Sequence, residues 1–255
     1  MASPLTIQRA GAAVWCTLDR PPLNLFEPTL IHAVRDAFQA FASDRATRVA
    51  VIVGSGRAFT AGMDVRVLRD LDAGRARELI TTLHDAIAAV HRAPFPVIAA
   101  VNGPCLGAGF ELALACDLRV AAATASFGLP EVRVGIPSVI QAALLPPMIG
   151  PGRAAEMLLT GVPIAAAQAL EWGLVNRVVP AGELAAATDE LIRRATRGSA
   201  FSKGLGKQAY YAQIDLDQPK AYAYAVEVMA SGAVAEDGQE SIRAFVEKRR
   251  PRFSS

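Results

Sequence analysis

Glu111 and Glu131 are the side chains of this sequence best suited to acid–base work. Glu111 is followed by Leu112, Leu114 and Ala115. Glu131 lies inside the run Phe127-Gly128-Leu129-Pro130-Glu131-Val132-Arg133-Val134-Gly135-Ile136-Pro137. A carboxylate that is incompletely solvated tends toward a raised pKa, which suits proton transfer near neutrality. Two such groups facing one cavity could hold a water between them. The residues alone leave a structural reading equally open, in which Glu111 favours a helix N-terminus and Glu131 pairs with Arg133 or another cation.

Two glycine-flanked turns accompany the carboxylates. The first reads Arg57-Ala58-Phe59-Thr60-Ala61-Gly62-Met63-Asp64, and the second Asn102-Gly103-Pro104-Cys105-Leu106-Gly107-Ala108-Gly109-Phe110-Glu111. Each follows an apolar run that reads as a buried strand, Val49 to Val53 and Val97 to Val101. Each precedes a segment able to turn helical. Two strand-to-helix turns can aim two backbone N–H groups at one point, which makes an oxyanion hole for a carbonyl whose oxygen becomes negative. The N–H of Met63 is the candidate donor of the first turn. Small residues at Gly107-Ala108-Gly109 would let a ligand approach the backbone; tight helix packing selects the same residues. Asp64 reads as a helix cap.

Other catalytic schemes find little footing. His32, His84 and His91 lack metal-ligand spacing. No Gly-x-Ser-x-Gly elbow, Walker loop or dinucleotide motif appears. Cys16, Cys105 and Cys116 form no metal pattern and read as buried thiols of a reducing cytoplasm.

The elements that must hold these residues alternate at first. Thr6 to Arg9 and Ala13 to Leu18 read as paired strands joined around Gly11. Glu27 to Phe41 and Arg75 to Arg92 read as amphipathic helices. Val49 to Val53, Val97 to Val101 and Leu118 to Ala122 read as buried strands of a parallel sheet. Helical patterns are expected at Phe110 to Cys116, Val139 to Ile149, Gly152 to Leu159, Ala165 to Trp172 and Glu183 to Arg197, with a strand at Val175 to Val179. From Ser199 on the chain reads as wholly helical. Tyr210, Tyr211, Tyr222 and Tyr224 cluster there, as core or subunit interface. The tail Glu247-Lys248-Arg249-Arg250-Pro251-Arg252-Phe253 is either a solvated end or a contact for ligand phosphates.

The chain has 255 residues, 52% hydrophobic and 20% charged, with a net charge of +2. That composition is globular, and the charge gives no argument for nucleic acid. No apolar run reaches the roughly 18 residues of a membrane span, and no secretory signal is evident.

The sequence resembles the enoyl-CoA hydratase/isomerase (crotonase) family through most of its length. The resemblance is carried by Leu18-Asp19-Arg20-Pro21 with Asn24, Ala58 to Asp64, Val101 to Asp117, Phe127 to Pro137, Glu171-Trp172-Gly173-Leu174-Val175, and Phe245 to Phe253. It implies an α/β fold: a spiral of ββα repeats over residues 1–198, carrying the CoA and acyl site. A helical region over 199–255 would make a homotrimer or a hexamer. The substrate would be an acyl-CoA thioester, with no metal or redox cofactor. By resemblance, the N–H groups of Met63 and Ala108 hold a thioester enolate, although the family commonly carries glycine where Ala108 stands. Glu111 would activate water, and Glu131 would exchange a proton with the α-carbon. The turn residues Arg57, Ala58, Ala61, Gly62 and Asp64 would meet CoA, Arg20 could approach a phosphate, and Lys248 could reach the CoA of a neighbouring subunit.

Keeping both carboxylates favours hydration of a trans-2-enoyl-CoA over double-bond isomerisation, which needs only Glu131; a non-catalytic acyl-CoA-binding protein is the third reading. One departure stands out. Where hydratases carry a glycine-rich stretch, this chain has Pro137-Ser138-Val139-Ile140-Gln141, one residue shorter. Pro137, Ser138 and Val139 are therefore expected to narrow or reshape the acyl pocket.

Overall fold

The computed structural model describes residues 3–254; the outermost ends of the two expected regions, residues 1, 2 and 255, lie outside the described residues. The hairpin β1 (Leu5–Ala10) and β2 (Ala13–Leu18) opens the chain, and helix α1 (Pro28–Ala42) follows. Then come β3 (Val49–Gly54), α2 (Ala73–His91), β4 (Val97–Val101), β5 (Pro104–Leu106) and α3 (Ala108–Ala115). Next are β6 (Leu118–Ala122), β7 (Ser126–Gly128), α4 (Leu145–Ile149), α5 (Pro151–Thr160), β8 (Ile164–Ala165), α6 (Ala166–Glu171), β9 (Arg177–Val179) and α7 (Leu184–Ala195). Three helices close the chain, α8 (Ala200–Gln213), α9 (Gln218–Val234) and α10 (Glu236–Val246).

Six strands form the main sheet in the order β1-β2-β3-β4-β6-β9, antiparallel at the opening hairpin and parallel thereafter. The continuous apolar runs of β3 and β4 follow from burial on both faces. Ala50, Ile52, Ala99 and Val101 join the larger core with α1, α2 and α3. Val49, Val51, Ile98 and Ala100 point the other way, against Leu184 and Leu191 of α7.

A second sheet, β5-β7-β8, is absent from the expectation. Its strands are two or three residues long, too short for an alternating pattern to register. The expected helix over Val139 to Ile149 is also corrected. The segment starts as coil, makes a single 3₁₀ turn at Ala142–Leu144, and becomes α-helical only at Leu145. The expected strand at Val175 to Val179 shortens to Arg177–Val179. No helix among the described residues is long and apolar enough to cross a membrane.

A buried polar cluster ties α8 to the sheet that carries the site. Asp117, just after α3, accepts from Val97 N (2.7 Å) and from Tyr211 OH (3.0 Å), and pairs with Lys207 Nζ (2.8 Å). Lys207 Nζ also donates to Phe95 O. Truncating Asp117 would strand a buried ammonium. Asp117→Ala should therefore lower unfolding stability by about 3–5 kcal/mol in a urea titration, well beyond the roughly 1 kcal/mol expected of Tyr211→Phe.

Candidate active site

The first turn is held by two asparagines. Asn24, fully buried, donates through Nδ2 to Ser55 O, Ala58 O and Phe59 O, while its Oδ1 accepts from Arg20 N. Asn102 spans the turn's entry: its Nδ2 donates to Gly54 O and Gly56 O, and Gly54 N donates back to Oδ1. Gly103 has no side chain because a Cβ there would lie 2.1 Å from Arg57 O. At the turn's exit, Met63 bridges to Phe26 as a parallel strand would: Phe26 N donates to Gly62 O and Asp64 N donates to Phe26 O. Those two bonds use the amides on either side and leave the Met63 N–H outside the ladder. Asp64 caps the 3₁₀ turn Val65–Leu68, accepting from Arg66 N, and its carboxylate pairs with the Arg66 guanidinium at 2.6 Å. The capping role read from the sequence is therefore what it performs.

The second turn packs directly on the first. A Cβ on Gly62 (φ +89°) would stand 2.8 Å from Leu106 O and 3.3 Å from Ala108 N. Thr60 N donates to Pro104 O and Leu106 N donates to Thr60 O. Gly107 takes φ +55°, a left-handed conformation, as the residue before α3. Ala108 is the first residue of that helix and has no positive φ, so its methyl group is accommodated. Its N–H belongs to the first helical turn and has no intrahelical partner.

The three small residues have separate reasons, and both of the readings left open by the sequence, ligand approach and tight packing, apply to different ones. A Cβ on Gly107 would collide with Glu131 Oε1 at 2.1 Å, so that glycine admits the carboxylate. A Cβ on Gly109 would meet Thr60 Cγ2 at 2.4 Å, so that one serves packing of helix on turn. Gly107 and Ala108 line the cavity, and Gly109 does not.

That cavity measures about 370 Å³. Ala61, Met63, Gly107 and Ala108 form one wall, with Glu111 and Glu131 beside them. Pro137, Ser138 and Val139 line it as expected. Ile140, the other branched residue of that stretch, lines it too, with Pro130; Val65, Leu68, Ile80, Leu83, Val134 and Ile136 also line it, and sequence reasoning did not assign these to the pocket. Ile80 is a large apolar residue of α2 that stays 38% exposed while lining this cavity.

The two carboxylates are held differently. Glu111 is 2% exposed and its Oε1 accepts from Gln141 N at 3.0 Å, with Ile140 N a second backbone donor. Burial pushes its pKa from the ordinary 4.5 up to about 7, and the Glu131 charge adds to the rise, while the two amides oppose it. Glu131 sits in a 3₁₀ turn, Pro130–Val134, and its Oε2 accepts from Ser138 Oγ at 2.5 Å. The alternative pairing with Arg133 does not form; Arg133 Nε donates to Thr160 O.

The remaining expected contacts do not line this cavity. Arg57 is exposed beside the first turn, Ala58 is buried within it, and Arg20 pairs with Glu27. Lys248 follows α10 with φ +53° and does not line this cavity. All three cysteines are buried free thiols.

A family model described as enoyl-CoA hydratase/isomerase matches residues 8–255. A carnitinyl-CoA dehydratase of Salmonella typhi is 35% identical over 261 residues, covering 98% of each chain. The crystal structure of an enoyl-CoA hydratase from Mycobacterium smegmatis superposes with a TM-score of 0.94 at 33% identity, covering 99% of each chain. That of human enoyl Coenzyme A hydratase domain-containing protein 3 gives 0.93 at 30% identity, covering 98% of this chain and all of that one. With a family model matching residues 8–255 and relatives more than 30% identical over nearly the whole of both chains, this chain belongs to the enoyl-CoA hydratase/isomerase (crotonase) family.

Proposed function

We propose that the protein is an enoyl-CoA hydratase, adding water across a trans-2-enoyl-CoA to give a 3-hydroxyacyl-CoA. The observation that carries this reading is one cavity lined by two carboxylates and by two turns with unused backbone donors. The thioester carbonyl would lie between the N–H groups of Met63 and Ala108. As water adds at the β-carbon, negative charge moves onto the thioester oxygen. Two preorganised amides, one at the start of α3, stabilise it there. Glu111 takes a proton from the attacking water. Glu131 delivers a proton to the α-carbon as the enolate collapses. Run backwards, the same groups dehydrate, as the name of the carnitinyl-CoA relative describes for that enzyme. The turn from Arg57 to Ala61, together with Gly62, would bear on the CoA moiety. Arg20 and Lys248 would meet phosphates, Lys248 from a neighbouring subunit.

The cavity beyond the carboxylates is apolar, walled by Leu68, Ile80, Leu83 and Val139. No Lys, Arg, His or aromatic ring lines it among the described residues. An uncharged, short acyl group fits that lining best.

Three measurements test this. With crotonyl-CoA, loss of the conjugated enoyl absorbance should be followed for the wild type beside Glu111→Gln and Glu131→Gln. Each variant should lose about 10²–10⁴-fold in kcat; loss confined to Glu131→Gln, on a 3-enoyl substrate, would mark an isomerase. The same assay fixes the sign of the pH dependence. Glu111 must be ionised to accept the proton, and its pKa stands raised at about 7. kcat/KM should therefore climb through pH 7 and level off above it, instead of being flat from pH 5 as an ordinary solvated carboxylate would give. Second, efficiency should fall along the series from crotonyl-CoA to hexadecenoyl-CoA; equal efficiency throughout would remove the small-pocket reading. Third, Gly107→Ala should cost catalysis about as heavily as Glu131→Gln. The added methyl occupies the site of Glu131 Oε1 and puts a side chain on a backbone with φ +55° and ψ −133°, a strain of about 1–3 kcal/mol.

A further inference from the structure

Ser138 is 7% exposed, and its hydroxyl is spent on Glu131. A glutamate carboxylate turns about a broad terminal torsion, so its two oxygens are interchangeable until something distinguishes them. Here two contacts do so. Oε2 takes the Ser138 hydroxyl at 2.5 Å, and Oε1 lies over Gly107, beside the turn that carries the Ala108 amide. A hydroxyl donating to a carboxylate is among the stronger side-chain hydrogen bonds, because the acceptor is charged. Ser138 is also the only polar side chain in the stretch Pro137 to Ile140, the segment whose next amides, Ile140 and Gln141, hold Glu111.

We infer that Ser138 is a positioning residue for Glu131: its hydroxyl holds Oε2, fixes the carboxylate plane, and leaves Oε1 as the oxygen that exchanges a proton with the substrate's α-carbon. The inference rests on the hydratase reading for the identity of the substrate. Its chemistry is narrower, since it concerns only the proton moved by Glu131. No bond to Ser138 is made or broken. The hydroxyl keeps its own proton throughout, and the α-proton passes between carbon and Oε1.

The test separates the two ideas by measuring two reactions of the full-length protein. One is hydration of crotonyl-CoA. The other is exchange of the α-protons of butyryl-CoA with D₂O, followed by NMR, which needs Glu131 and no added water at the β-carbon. Ser138→Ala should slow both by about tenfold, as loss of one hydrogen bond to a charged group predicts. KM should stay within about twofold and melting temperature within about two degrees. Ser138→Thr, which keeps the hydroxyl, should recover most of the rate. In a Glu131→Gln background, Ser138→Ala should cause no further loss, because a residue acting through Glu131 has nothing left to position. Wild-type exchange in Ser138→Ala overturns the inference. So does a tenfold loss that persists in the Glu131→Gln background, which would make the role one of packing. Exchange without hydration in the wild type overturns the hydratase reading and leaves Ser138 to be judged on exchange. Neither reaction in the wild type overturns both.

Discussion

Everything in the site depends on two backbone turns being pressed into contact. Gly62 lies against Leu106 O and the Ala108 amide, Gly103 against Arg57 O, and Gly109 against Thr60. Side chains at these positions would collide with the facing turn and force the two apart, and the Met63 and Ala108 amides would be displaced from their common cavity. The contact is maintained by polar groups rather than by apolar burial alone. Asn24 and Asn102 satisfy the carbonyls of the first turn that no strand or helix can reach. A buried carbonyl left without a donor costs about 1–3 kcal/mol, so these asparagines replace regular structure where the chain must be irregular.

The second constraint is charge. Glu111 sits nearly sealed from water, and its raised pKa records an unfavourable environment for the ionised form. Above neutrality the shift from 4.5 to about 7 corresponds to roughly 3 kcal/mol of lost stability. Its folded pKa lies above the unfolded value, so the penalty is absent well below pH 4.5, grows from there, and is complete once pH passes 7. The amides of Ile140 and Gln141 limit that cost. The expected helix does not run through from Val139 because Pro146 and Pro147 have no N–H for the carbonyls of Ala142 and Ala143, whereas the first turn of a helix that starts at Leu145 tolerates them.

The sequence made the strong features legible and hid the short ones. Val49 to Val53 and Val97 to Val101 read as buried strands because residues on both of their faces are apolar. Asp64 read as a cap from its place before a helical stretch. The two carboxylates stood out against apolar neighbours. Strands of two or three residues, β5, β7 and β8, cannot display a period. The distinct tasks of Gly107 and Gly109 could not be read either, since both depend on residues distant in sequence, Glu131 and Thr60. The Ser138 hydroxyl was visible as a departure from a glycine-rich stretch, but its partner depends on the fold of the 3₁₀ turn that brings Glu131 back to it.

The short segment from Ser138 to Gln141 grips one carboxylate by a hydroxyl at its start and the other by backbone amides at its end, while Val139 and Ile140 between them face the acyl cavity. On the proposed reading, the same four residues bear on both substrate preference and proton transfer. An engineer who enlarges Val139 or Ile140 to change the accepted acyl group would move both glutamates at once. By the same reading, room for a bulkier acyl group is better sought at Leu68 or Ile80, lining residues outside the segment that holds the two glutamates.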